Sequence, residues 1–181
     1  MRSIKMFLFV LIGLFAVLTI IGLFIPSSVK ISRGIVIDAD SAKLQQAVSN
    51  VQTWANWFPW IKSDSGAIVQ LSPAPNQPGS FFKWKSLNYK SDGIITIKTI
   101  QPDLVTLHYQ MKDMNDAEGG FRLRPLGARQ TEVQWFMEYK LKWYPWERFY
   151  GIFLDKIIGP SFEQGLQNLK ELTEKQEPLN T

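Results

Sequence analysis

The chain begins with a pattern that is neither helical nor strand-like in its amphipathicity. Across residues 6–25 only Gly13, Thr19 and Gly22 fall outside the apolar set, and no residue is charged. About 20 apolar residues in a helix cross the hydrocarbon core of a bilayer. The run offers no polar face, which argues against a core helix, and Pro26 marks its end. A cleaved signal peptide has a shorter apolar region, roughly 7 to 15 residues, followed by small residues. Here Phe24, Ile25, Pro26, Ser27 and Ser28 follow, so length and flank favour an uncleaved anchor. We therefore expect residues 1–26 to form one transmembrane anchor and residues 27–181 a single folded domain. Arg2 and Lys5 precede the span, and Lys30 and Arg33 follow it. The positive-inside rule leans toward a cytoplasmic N-terminus in the inner membrane, with the domain on the exported side.

After residue 27 the pattern becomes short and alternating. Residues 29–37 place Val29, Ile31, Ile35 and Ile37 on one parity, as in a strand. Asp38, Asp40 and Ser41 supply N-cap chemistry for a helix reaching about residue 51, in which Leu44, Val48 and Val51 recur at helical spacing. Residues 71–79, with three prolines and a glycine, predict a loop. Alternation then predicts strands at 80–85, with Phe82 and Trp84 inward, and at 94–100. A third, at 104–111, carries Val105, Leu107, Tyr109 and Met111 on one face, and a fourth runs through Phe121 and Leu123. The longest alternation is 131–143, with Val133, Trp135, Met137, Tyr139, Leu141 and Trp143 facing one way. Such alternation means an antiparallel sheet with one wet face. After Pro145 the period lengthens. Phe149, Phe153 and Ile157, then Phe162, Leu166, Leu169 and Leu172, predict a long helix, with a kink or split at Gly159-Pro160. One helix must cover a whole aromatic-rich sheet face, so the expected class is α+β, a curved sheet wrapped around that helix.

Charge and composition narrow the function. All 16 acidic residues lie after residue 26, with 18 of the 20 basic ones, leaving the domain at +2. That is no electrostatic footprint for nucleic acid. Cysteine is absent, which excludes disulfides and thiolate chemistry, and His108 is the one histidine. No metal and no cofactor are expected.

Three stretches resemble a known family. They are Trp54-x-x-Trp57-x-Pro59-Trp60, the strand end Trp84-Lys85-Ser86 followed by Asp92-Gly93, and Gly159-Pro160-Ser161-Phe162-Glu163-x-Gly165-Leu166-x-Asn168-Leu169-Lys170. Residues 29–175 resemble the helix-grip (START-like, birch-pollen-allergen-like, SRPBCC) superfamily, in its bacterial polyketide cyclase/dehydrase-type branch. The resemblance implies about seven antiparallel strands around the C-terminal helix and a cavity between sheet and helix. The superfamily includes lipid carriers, hormone binders and aromatase/cyclases, so the resemblance is specific for fold and weak for function.

The candidate cavity residues are Trp60, Phe82, Trp84, Tyr109, Phe121, Trp135, Met137 and Tyr139, with Phe153 and Phe162 on the helix stripe. Alternating aromatics mostly mean packing; large rings with polar handles also line ligand cavities. His108 shares the parity of Thr106 and Gln110, opposite Tyr109, and is expected on the wet face. Asp113, Asp116 and Glu118 read as a solvated turn, Glu132 and Glu138 as surface charges, and Gly119-Gly120 lacks the strand–helix context of a nucleotide loop. The Trp54-Trp57-Trp60 cluster has three readings: packing of two short helices, a cavity mouth closed by Trp60, or, with Trp143, Tyr144 and Trp146, a membrane-interface belt. The leading functional expectation is a membrane-anchored binder of a hydrophobic small molecule or lipid. The alternatives are a cyclase/dehydrase-like enzyme using Tyr109 and Tyr139 as proton carriers, and a protein-interaction module at the membrane.

Overall fold

The computed structural model describes residues 2–62, 64, 66–86 and 92–175; the remaining tail of the expected domain lies outside the described residues. Helix α1 (Arg2–Leu23) stands apart from the core, with its large apolar side chains exposed. It is the one described helix long and apolar enough to cross a membrane, over Ser3–Leu23.

Strand β1 (Ser28–Ile37) leads into α2 (Ser41–Ser49), which the Asp40 carboxylate caps by accepting from the Lys43 N–H at 2.8 Å. A 3-10 turn (Trp54–Asn56) and the short α3 (Pro59–Lys62) follow. Six strands then run in succession: β2 (Ile68–Leu71), β3 (Phe81–Lys85), β4 (Gly93–Ile100), β5 (Leu104–Met111), β6 (Ala117–Gly127) and β7 (Gln130–Lys140). Helix α4 (Pro145–Lys175) closes the chain. Proline at its first position and Glu147 in its first turn both suit a helix start.

All strands pair antiparallel in the order β1-β7-β6-β5-β4-β3-β2. The meander β2 to β7 thus receives β1 on its far edge. Register shifts between Ile97 and Thr99 and between Pro125 and Gly127 bend the sheet. Beside the first, Gly120 (φ 151°) lets β6 approach β5: a Cβ there would lie 2.0 Å from the Val105 carbonyl oxygen. The inner face buries Ile31, Phe82, Ile95, Ile97, Leu107, Phe121, Val133 and Trp135 beneath α2, the 54–60 aromatics and α4. The free edge of β1 is masked by α4, where Lys170 Nζ donates to the Val36 carbonyl at 3.0 Å.

Four details depart from the sequence reading. Strand β2 falls where no strand was expected; it is a four-residue edge strand with only half-buried inward positions, so its pattern is weak. Strand β7 stops at Lys140, and Trp143, expected inward, is 61% exposed. Helix α4 is not split at Gly159-Pro160. Arg33 reaches across Gly159, its Nη1 and Nη2 2.9 and 3.1 Å from Asp155 and its Nε 2.6 Å from Glu163, so one guanidinium spans the turn that proline weakens. Finally, the first half of α4 buries Gly151, Leu154 and Ile158, whereas Phe153 and Ile157 face outward.

Candidate functional site

Trp135 sits at the centre of the concave face and organises the interior. Its ring stacks on Phe162 of α4 at 4.2 Å and 5°, with Phe121 at 5.0 Å, Phe58 at 5.2 Å and Trp57 and Trp60 at 6.0 Å. Trp54, Phe82 and Trp84 extend the cluster. These offset and edge-on geometries are the favoured ones for aromatic pairs. The rings pack on one another, and so bear much of the core.

Polar handles inside this cluster are unequally satisfied. Trp135 Nε1 donates to the Tyr109 hydroxyl at 2.9 Å, and Trp54 Nε1 to the Val48 carbonyl at 3.2 Å. Burial pushes the Tyr109 phenol well above its usual value, opposed by the bond from Trp135. The indole N–H groups of Trp57 and Trp84 are buried with no hydrogen-bond acceptor among the described residues. Such orphaned donors are uncommon in folded proteins.

Eight of the ten expected cavity residues meet on the inner side. Phe82, Trp84, Tyr109, Phe121, Trp135 and Phe162 are buried in or beside the aromatic cluster, and Met137 and Tyr139 continue the buried row toward the sheet end. The Tyr139 hydroxyl accepts from the Asn115 N–H at 2.8 Å, and burial raises its pKa. Tyr109 and Tyr139 both lie beside Ala117, two strands apart, about 10 Å by strand spacing, so they form no proton-sharing pair. Trp60 is half-buried at the rim. Phe153 is 55% exposed and lies away from the sheet. Trp54 and Trp57 are fully buried, so the cluster at 54–60 is packing plus a rim ring rather than a membrane-facing belt.

The rim ring borders a groove of about 650 Å³ between α3 and α4, lined by Pro59, Trp60, Lys62, Gln164, Asn168 and Glu171 among others. Trp60 stacks on Trp84 at 6.0 Å and 6°, and so connects the groove to the interior. Asn168, 5% exposed, ties the walls together. Its Nδ2 donates to the Trp57 carbonyl at 3.0 Å, and its Oδ1 accepts from Lys62 Nζ at 3.0 Å and Gln164 Nε2 at 3.1 Å. Lys62, Gln164 and Glu171 were not singled out from sequence, and Asn168 was named only as a position of the Gly159 to Lys170 motif, with no role in a site.

Elsewhere the outer face carries the expected surface charges. His108 lies there with its nitrogens 2.8 Å from Glu118 and 3.1 Å from Asp116. Among the described residues no group of three His, Cys, Asp or Glu is arranged to hold a metal ion.

A seven-stranded antiparallel sheet gripping one long C-terminal helix, with its aromatic interior reaching a groove beside that helix, defines a helix-grip domain of START-like type. Residues 28–174 match the sequence profile of polyketide cyclase / dehydrase and lipid transport proteins, and the chain belongs to that family. No curated protein matches the sequence. Solved structures share the fold at low identity. The Zhui aromatase/cyclase from Streptomyces sp. R1128 aligns with TM-score 0.64 and 11% identity, covering 84% of this chain and 97% of that one. A START superfamily protein from Mycobacterium smegmatis gives 0.61 and 15%, covering 82% and 99%. Norcoclaurine synthase from Thalictrum flavum gives 0.62 and 8%, covering 83% and 89%.

Proposed function

We propose that the chain is a membrane-anchored domain that binds a hydrophobic small molecule or lipid, taken up through the groove between α3 and α4. One observation carries this reading. Trp60 lines the groove and also stacks on Trp84, whose buried indole N–H has no acceptor among the described residues. An apolar ligand that displaces Trp60 gains the aromatic interior as its contact surface, and a polar end could meet Lys62, Asn168 or Glu171 at the rim. The family description names lipid transport, and the norcoclaurine synthase structure holds dopamine and hydroxybenzaldehyde, so related folds take apolar and aromatic ligands. Residues 1–26 supply the anchor, with the N-terminus cytoplasmic and residues 27–181 exported.

Native mass spectrometry of the full chain released from detergent tests the binding. Wild type is expected to carry or take up one apolar molecule. Trp60→Ala should bind about tenfold more weakly, the equivalent of about 1.4 kcal/mol of lost ring contact. A folded wild-type chain that takes up neither fatty acid, sterol nor phospholipid overturns the reading. A reporter fused after Thr181 that is active only in the cytoplasm overturns the orientation.

A further inference from the structure

The sequence stripe of Phe149, Phe153 and Ile157 belongs to the side of α4 turned away from the sheet. Trp146, Tyr150, Phe153 and Ile157 recur at intervals of four, three and four residues, which puts them on one helix face. They are 62%, 42%, 55% and 53% exposed. The adjoining side, about 100° round the same turns, carries the buried Gly151, Leu154 and Ile158. The first half of α4 is therefore apolar on two faces. Beyond Pro160 the outward positions become polar, with Gln164, Gln167, Glu171 and Lys175. An exposed aromatic stripe confined to half of one helix needs a partner.

Its neighbour identifies that partner. The apolar half of α4 is the half that adjoins α1. The Trp146 ring lies 6.4 Å from Phe15, Arg148 Nη1 donates to the Ile25 carbonyl at 3.1 Å, and Gly22 abuts the backbone of Pro145. Phe15 stands eight residues before Leu23, the end of α1, or about 12 Å along the helix axis. A helix that touches α1 at that depth cannot stand clear of a bilayer that α1 crosses. Trp143, 61% exposed, and the Tyr144 ring stacked on Trp146 at 4.6 Å add the residue types that favour the headgroup region. Lys142 and Lys156, both exposed, supply cations at the margins.

We propose that Trp143 and the outward face of the first half of α4 seat in the interfacial layer of the bilayer that α1 crosses. The domain then lies on the lipid surface instead of hanging from a tether. This rests on reading α1 as the anchor. It also gives the groove a source of ligand. The α4 residues lining the groove begin at Pro160 and Ser161, one turn beyond Ile157, and continue through Gln164 on the same outward side. An acyl chain or other apolar molecule leaving the headgroup layer would meet the Trp60 groove without crossing bulk water.

The test uses the full chain, whose lack of cysteine allows single labels. Nitroxides are attached to Ile12→Cys, Phe153→Cys and Gln167→Cys proteins in phosphatidylcholine vesicles. Spin relaxation by oxygen, which concentrates in lipid, is compared with relaxation by a water-soluble nickel chelate. The expected result is an oxygen-dominated label at positions 12 and 153 and a nickel-dominated label at 167. A lipid-buried label at 12 with an aqueous label at 153 overturns the seating while leaving the anchor intact. An aqueous label at 12 overturns both. Spin–spin broadening at 153 that grows with protein density assigns the face to a second copy and also overturns the proposal.

Discussion

Gly165 and Trp135 meet where no Cβ would fit. A Cβ on Gly165 would stand 2.5 Å from the Trp135 ring and 3.0 Å from the Pro59 ring. Phe162, one turn earlier, stacks on the same indole, so helix and sheet close together at this point. Neither ring can retreat, because Trp135 is fully buried and in contact with several others. Gly165→Ala should therefore lose about 1 to 3 kcal/mol to overpacking, despite a gain of about 1 kcal/mol in helix propensity. Gly13→Ala, with nothing within 4 Å, should lose no stability. Thermal unfolding followed by near-ultraviolet circular dichroism makes the comparison. Equal midpoints for the two variants would contradict the close approach.

The Tyr109 hydroxyl should make stability fall at alkaline pH. Burial raises its pKa above the ordinary 10.0, so the folded state holds the proton more tightly than the unfolded state. The associated stability is fully present below pH 10 and is lost as pH rises toward the folded value. Tyr139, also raised, acts in the same direction. Tyr109→Phe should cost about 1 to 3 kcal/mol at neutral pH by leaving Trp135 Nε1 without its acceptor. It should also flatten the decline in stability between about pH 9 and about pH 11. Urea unfolding across that range compares the two chains, and parallel pH profiles would remove Tyr109 from the account.

Most of the sheet was legible because alternation at Phe82 and Trp84, at Val105 to Met111 and at Val133 to Tyr139 reports directly which side is buried. Strand β2 was not, since four residues at an edge carry too little contrast. In α4 the spacing of Phe149, Phe153 and Ile157 correctly announced a helix and misassigned its face. Sequence shows that apolar residues share a side, but not whether sheet or something else lies opposite. The packing surface there joins Leu154 and Ile158 to Gly151, whose missing Cβ admits Leu141 and which hydrophobic counting overlooks. The groove was illegible for a similar reason. Lys62, Asn168 and Glu171 come together only when α3 docks on α4.

Arg33 should be replaceable by lysine only in charge. Its fork meets both Asp155 oxygens while Nε meets Glu163, a geometry that an ammonium cannot reproduce. The carboxylates are 47% and 61% exposed, so each pair contributes no more than about 1 kcal/mol. The larger effect is local. Arg33→Lys should speed amide exchange around residues 156–163, where Pro160 interrupts the helix bonding. Asp155 is held below its ordinary 3.8 by Arg33, so this stability is present above that pH and fades on acidification. Arg33→Ala should be less sensitive to acid than wild type over that window. Unchanged exchange in Arg33→Lys would show that the bridge does not support the turn.

Asn168 supplies a donor and an acceptor at one buried point, and the two can be separated. Asn168→Ala leaves the Trp57 carbonyl without the amide that meets it at 3.0 Å, and Lys62 Nζ without its acceptor. The unpaired buried carbonyl costs about 1 to 3 kcal/mol, whereas the exposed Lys62 ammonium turns to water at little cost. Asn168→Asp keeps an acceptor for Lys62 but sets a carboxylate oxygen against the Trp57 carbonyl. If the bond to Trp57 fixes the 54–60 segment, aspartate should fail to rescue, and both variants should lower the unfolding midpoint and weaken ligand uptake at the Trp60 groove. If aspartate restores wild-type stability, the Lys62 contact is the one that matters and the donor bond is incidental. Thermal unfolding and native mass spectrometry on the same two variants distinguish these outcomes, because loss of the Trp57 bond moves both readouts whereas loss of a rim charge alone moves only the second.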